Sequence, residues 1–422
     1  MREMKDSGVE WIGEIPKDWK IVPTKRFFRN VKRVVGDKVD NYERLALTMK
    51  GVIKRSKEDS EGLQPEKFEG YQILRQNELV FKLIDLENIR TSRVGLSSYT
   101  GLVSPAYIVL TNESEDNRFY YYWFMFLYYN EIFNHLGGDG VRSALNAKDL
   151  SVIPIVSIPT HTQYCIANYL DKKCTKIDNI IEKQQIIIEK LKLYKQSVIT
   201  EAVTKGLNPD VEMKDSEIEW IGKIPMHWGK MKLKYATKIM RGKFNHRPRN
   251  DPDYYDGKYP FVQTGDVAKA NKYIKTYSQT LNELGYSVSK EFPKGSICLT
   301  IAANVGDVSI LGFDACFPDS IVGFVPLDII EQNYLYYVLK AMKLQFLRKA
   351  IISTQLNLNI EIIKEEFIPI APITEQMEIV KDLEKRIEQI DRAIGIKQQL
   401  ISRCIAYKKS LIFEVVTGKR EV

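Results

Sequence analysis

The sequence predicts an α/β protein of duplicated design. It has two α/β domains separated by two long helices that pair as an antiparallel coiled coil, a pseudo-twofold internal repeat. Three observations lead there. A sixteen-residue phrase is written twice, MKDSGVEWIGEIPKDW over 4–19 and MKDSEIEWIGKIPMHW over 213–228, with eleven positions identical. Two long segments of helical periodicity align with one another at an offset of 213 residues. In each half, the region between phrase and helix is made of short β-rich runs punctuated by Gly and Pro.

Composition sets the frame. At 422 residues, 44% hydrophobic and 27% charged, the chain is long enough for two or three cores of ordinary globular make-up. Its 23 Tyr, 17 Phe and 5 Trp argue against disorder, because such rings need burial. No apolar segment follows Met1 as a signal peptide would require. The longest apolar-looking run, Phe119–Tyr129, is too short to span a bilayer. Five scattered cysteines without a CxxC pair, and only four His, lack metal-ligand spacing and fit a reducing cytoplasm. The net charge of +8 permits nucleic acid without requiring it.

Taken in order, the first phrase places Trp11 and Trp19 beside Ile12, Ile15 and Pro16. This reads as a pin holding the N-terminus onto the helices rather than as a base-stacking platform. A basic stretch follows, with Lys17, Lys20, Lys25, Arg26, Arg29, Lys32 and Arg33 against one acid, Asp18. Strands are expected at Glu78–Phe81, Val94–Ser97 and Ser104–Leu110, and a helix over Tyr120–His135.

The first long helix then carries aliphatic residues at Ile166, Leu170, Ile177, Ile181, Ile188, Leu191 and Val198. The second repeats the register at Ile379, Leu383, Ile390, Ile394, Ile401, Cys404 and Leu411. Spacings of 4 and 7 mark a seam with a period near 3.5 residues, as in paired helices. A single amphipathic helix packed on its own domain is the plainer alternative, but helices of some 45 residues exceed the usual globular length. In the second half, strands are expected at Ser296–Thr300, Val305–Ile310 and Phe317–Phe324, with helix over Glu331–Ala350. The expected divisions are a first domain over 1–157, a helix over 158–206, a second domain with its phrase over 207–369, and a helix over 370–422.

These features resemble the specificity subunit of type I restriction-modification systems. The resemblance rests on the doubled K-D-S-x-x-E-W-I-G-x-I-P-x-x-W phrase and on the doubled helix starts at Pro159–Leu170 and Pro372–Leu383. It rests further on Tyr259–Asp266 and Phe292–Gly295 in the second half and Gly140–Arg142 in the first, and it covers essentially the whole chain. It implies a non-catalytic DNA reader in which each domain recognises one half of a split site. The helices would set the half-site spacing and hold methyltransferase subunits, two by expectation, with restriction subunits joining through the complex. S-adenosylmethionine, ATP and magnesium would then sit on partner subunits, with no cofactor and no metal on this chain.

The residues themselves offer little chemistry. No Gly-Lys pair is followed by Ser or Thr as a phosphate-binding loop requires. The Asn/Asp-Pro-Pro-aromatic motif of amino methyltransferases is absent, and no Ser/Cys–His arrangement stands out. Pro252-Asp253…Asp256-Gly-Lys258 resembles a nuclease metal site, but its carboxylates are only three positions apart, and a turn-rich surface loop is the simpler reading.

Candidates for phosphate or base contact in the first domain are Lys25, Arg26, Arg29, Arg90, Arg93 and Arg142. In the second they are Arg241, Lys243, Asn245, Arg247, Arg249, Gln263, Asn304, Gln355 and Asn357. Each alone has an ordinary surface or turn role available; as a set they point these regions at DNA. A standalone nuclease and a scaffold that binds no DNA stay open as rival readings.

Overall fold

The computed structural model describes residues 2–58, 67–84, 86, 93–136, 144–302, 304–352 and 356–422. The chain forms two compact units, Met1–Gln184 with Gln398–Val422, and Gln185–Lys397. Each unit therefore takes one α/β domain and about half of each long helix. Among the described residues no helix is long and apolar enough to cross a membrane.

Each repeated phrase folds as a small antiparallel hairpin in the same register. Met4–Asp6 pairs with Glu14–Pro16, Met4 opposite Pro16, and Met213–Asp215 pairs with Lys223–Pro225, Met213 opposite Pro225. Gly13 and Gly222 both hold φ of 68°, left-handed backbone that glycine adopts without cost. The hairpins point Ile15 and Trp19 into the core of the first unit and Ile224 and Trp228 into that of the second. Trp19 shares its core with Leu411, Ile412, Val415 and Val416, the last turns of the second long helix. Trp228 shares its core with Val198, Ile199, Ala202 and Val203, the last turns of the first. The phrase thus binds a helix end to its domain; Trp19 and Trp228 are buried, and Trp11 and Trp220 are half-buried against the same cores.

In the first unit two four-stranded sheets carry the domain. One runs Gly51–Arg55, Arg44–Thr48, Gly101–Val103, Gln72–Leu74; the other runs Arg29–Asn30, Ile108–Thr111, Leu79–Phe81, Val94–Leu96. The aromatic run expected as one helix is two, Asn117–Tyr129 and Ile132–Leu136, because Glu131 adopts φ of 57° between them. The second unit has a five-stranded sheet in the order Thr237–Arg241, Ile321–Pro326, Ile297–Thr300, Val308–Leu311, Tyr273–Ile274. A four-stranded sheet, Gln279–Leu281, Tyr255–Phe261, Ala315–Cys316, Glu291–Phe292, accompanies it. The helix expected over Glu331–Ala350 is also divided, into Gln332–Ala341 and Lys343–Lys349.

The long helices span Thr160–Lys205 and Ile373–Val416. Seam residues Ile166, Leu170, Ile177, Ile188, Val198, Ile379, Leu383, Ile390 and Leu411 are buried, while Ile181, Leu191, Ile394 and Ile401 are half-buried. Within the first unit Lys408 Nζ contacts Asp178 Oδ2 at 2.7 Å; within the second Lys195 Nζ contacts Asp391 Oδ2 at 2.7 Å. These two pairs are the same pair under the 213-residue repeat, so each unit sets the same antiparallel register with its own ion pair.

Both long helices begin with a fully buried glutamine. Gln163 Nε2 donates to Ile158 O at 2.9 Å, and Gln376 Nε2 donates to Ala371 O at 2.8 Å. Their Oε1 atoms accept from Asp116 N at 3.0 Å and Glu331 N at 2.8 Å. Asp116 and Glu331 are the N-caps of the domain helices, so each glutamine ties the start of a long helix to the start of a domain helix. Gln376→Leu keeps the volume but orphans a buried carbonyl and a buried N–H. It is expected to destabilise the second unit by about 1–3 kcal/mol, checked by denaturant titration against the unaltered chain.

Candidate nucleic-acid interface

The candidates in the second unit gather at one end of its five-stranded sheet because the strand register puts them there. Arg241 lies opposite Val322, and Thr300 lies opposite Ile321, so these strands share an end. From that end runs Gly242–Arg249. Gly242 approaches the neighbouring segment so closely that a Cβ would sit 2.3 Å from Pro318 O, and its N–H donates to Ile321 O at 2.9 Å. Lys243 N donates to Phe317 O at 3.0 Å, and the Phe244 ring packs in a small core with Phe261, Leu281 and Cys316. His246 stacks on Tyr254 at 3.8 Å and contacts Asp251 at 2.8 Å. The Asp253 N–H, and then His246, hold the Asp251 carboxyl below the usual carboxylate range. With its backbone fixed this way, the loop presents Lys243, Asn245, Arg247 and Arg249 as exposed side chains.

Three arginines of this region converge on Asp319. Arg241 Nε donates to the Asp319 main-chain O at 2.7 Å, Arg247 Nη2 lies 3.5 Å from Oδ2, and Arg249 Nη2 contacts Oδ1. On the other side of the same segment, Ile301 N donates to Ser320 O at 2.9 Å, and Leu358 N donates to Ile301 O at 2.9 Å. Ala302 bridges to Asn357, and exposed Asn304 and Asn357 therefore join the same end of the sheet. Gln263 stands apart from this group. It precedes the helix Thr264–Lys269, and its Nε2 donates to Gln279 Oε1 at 2.8 Å. Gln355 lies outside the described residues.

In the first unit Lys25 and Arg26 lie on the turn Thr24–Arg26, and Arg29 opens the edge strand Arg29–Asn30. All three are exposed, and among the described residues none makes an ion pair. Other members of that basic stretch are already paired: Lys17 with Glu3 at 2.7 Å and Arg33 with Glu78 at 2.8 Å. Arg93 needs correction as a candidate. It is 2% exposed, and its Nη1 donates to Ile84 O at 2.9 Å, so it holds backbone together instead of facing a ligand. Its place directly before the β-rich run Val94–Ser97 was the available signal, since a cation beside a buried strand needs local partners. Arg90 and Arg142 lie outside the described residues.

The nuclease-like loop is occupied otherwise. Lys258 Nζ contacts Glu283 at 2.9 Å, and Asp256 sits at φ of 60°. Among the described residues no three His, Cys, Asp or Glu side chains are grouped to hold a metal.

Each half of the chain thus joins an α/β domain carrying exposed cations to its share of the doubled helix pair. Comparison with known proteins places it. Residues 225–402 match the family described as the type I restriction modification DNA specificity domain. The chain is 26% identical, over 97% of its length and 96% of the relative's, to a protein assigned as the type I restriction enzyme MjaX specificity subunit of Methanocaldococcus jannaschii. It is 28% identical over 175 residues, 40% of this chain and 39% of the relative, to the type I restriction enzyme MjaIX specificity subunit of the same organism. In fold it is similar to a chain of a solved type I R-M system, with a TM-score of 0.71 at 13% identity, covering 96% of this chain and 99% of that one. The chain is thus similar over nearly its whole length to a type I restriction enzyme specificity subunit, and residues 225–402 match the DNA specificity domain of that family.

Proposed function

We propose that the chain is the non-catalytic reader of a bipartite duplex target, each unit reading one half-site. The half-sites differ, because the loops that would read them differ in sequence. The long helices set the spacer and dock methyltransferase subunits, one for each half of the repeat, and restriction subunits join through that complex. S-adenosylmethionine, ATP and magnesium bind those partners. The reading includes a cytoplasmic setting, supported by five cysteines that form no disulfide. The observation that carries the proposal is the gathering of Lys243, Asn245, Arg247, Arg249, Asn304 and Asn357 at one end of one sheet. Cations there and at Lys25, Arg26 and Arg29 suit phosphates, whereas Asn and Arg suit base edges.

Salt titration of DNA binding tests it. A chain that neutralises several phosphates loses affinity linearly in log salt, and each lost contact lowers the slope by about 1. Arg29→Ala is expected to lower the slope by about that amount and to leave half-site preference unchanged. An unchanged slope places phosphate contact elsewhere. Incubation of the pure chain with DNA and magnesium is expected to give no cleavage; cleavage abolished by Asp256→Ala overturns the non-catalytic reading.

A further inference from the structure

An acid at the centre of a basic patch weakens phosphate attraction, so Asp319 is not explained by charge alone. Its carboxylate contacts both Arg247 and Arg249, and its main-chain O accepts from Arg241. The segment carrying it is itself fixed. Phe317 O accepts from Lys243 N, Ser320 O from Ile301 N, and Ile321 N donates to Pro318 O at 3.0 Å. Asp319 is therefore a rigid anchor for two side chains whose exposure is 52% and 49%.

The two arginines are not equivalent. Arg247 Nη1 is committed to Phe244 O and His246 O, both at 2.7 Å, and its Nη2 faces Asp319, so its fork is spent on the loop. Arg249 uses only Nη2 on Asp319; among the described residues its Nη1 and Nε meet no acceptor. Tyr255 Oη, which donates to Arg249 O, fixes the backbone beneath it. A planar guanidinium held at one corner, with further N–H groups open to solvent, is oriented to donate to paired acceptors.

We propose that Arg249 reads a guanine in the second half-site through O6 and N7, and that Asp319 is the positioning residue that aims it. This deepens the reading of the chain as a DNA reader and rests on it. Bidentate donation to those acceptors is the commonest specific arginine contact, whereas an unrestrained arginine would serve any phosphate nearby. Ordering the side chain before DNA arrives also removes part of the entropy cost of the contact.

The test uses the full-length chain assembled with its methyltransferase subunits. Its target is defined by methylation mapping, and binding is measured on duplexes with single substitutions or 7-deazaguanine in each half-site. Asp319→Asn removes the charge while keeping the shape. It is expected to reduce discrimination at one G·C pair of the second half-site by roughly tenfold or more. Affinity for a scrambled duplex should stay equal or rise, since the patch gains one net positive charge. Arg249→Gln, with Asp319 intact, is expected to lose discrimination at the same pair, and Asp319→Glu to restore part of it. A uniform loss on target and scrambled duplex would mean a phosphate contact only and overturns the proposal. Undiminished discrimination in Asp319→Asn or in Arg249→Gln overturns it as well. If the unaltered complex shows no preference for its target over a scrambled duplex, the DNA-reader reading itself fails first.

Discussion

Trp228→Ala is expected to destabilise the second unit by about 3–5 kcal/mol, among the largest costs a single truncation can produce. Its indole is 1% exposed and lies in a core with Val198, Ile199, Ala202 and Val203 of the first long helix. The same core includes Ile379 and Leu383 of the second. Its Nε1 donates to Glu375 Oε2 at 2.8 Å, and His227 contacts the other oxygen at 2.6 Å. Truncation leaves a cavity and removes one donor from that carboxylate. Because the chain has two units, a single unfolding midpoint is not well defined. Hydrogen exchange resolves them: protection should fall at the amides around 198–203, and not in the domain sheets of the first unit. A loss below about 1 kcal/mol, or equal loss in both units, contradicts the pinning role of the phrase. The equivalent Trp19 Nε1 is buried with no hydrogen-bond partner among the described residues, so the two tryptophans differ in polar support although both fill cores.

Lengthening both long helices by four residues is expected to lengthen the DNA spacer by one or two base pairs while leaving both half-sites unchanged. Four residues add about 6 Å at about 1.5 Å per residue, and are close to one turn, so the aliphatic seam stays nearly in phase. DNA advances about 3.4 Å per base pair, which makes two pairs the upper limit. Each pair added also rotates the next half-site by roughly 35°. The ion pairs decide where the insertions go. Asp178 to Lys195 in the first helix and Asp391 to Lys408 in the second are steps of equal length, 17 residues. Inserting after Lys183 alone makes the steps unequal and sets Asp178–Lys408 against Lys195–Asp391. Matching it with an insertion after Ile396 preserves both pairs. The double insertion should therefore be active and the single one impaired, with methylation mapping as the readout. An active double mutant with an unaltered spacer shows that the helices do not set the distance.

Much of the architecture was legible because it is written in period and repetition. The seam spacing of 4 and 7 gave both long helices, and the doubled phrase gave two equivalent halves; that each phrase folds as a hairpin turning at a left-handed glycine was not read from it. The divided domain helices were not legible. Asn130-Glu131 looks like a continuing helix surface, and only the left-handed backbone at Glu131 breaks it. The glutamines at 163 and 376 stood in plain sight inside the repeat. Their role could not be read because the N–H groups that donate to them lie far away in sequence, at Asp116 and Glu331. The site was the least legible part. Residue type nominated Arg93, Arg247 and Arg249 alike, yet burial and local carbonyls separate them, and Asp319 was invisible as an acid outside the basic loop. Charge in a sequence gives the supply of donors; the fold decides which are already spent.

The most direct measurement of the central claim is the methylation map of a chimera. Residues 230–368 of this chain are replaced by the corresponding region of a type I specificity subunit of known target, and the product is expressed with its methyltransferase. The expected map shows one half-site exchanged for the donor's, with the other half-site and the spacer retained. A map in which both half-sites change, or neither does, would contradict a chain built of two independent readers on a shared helical ruler.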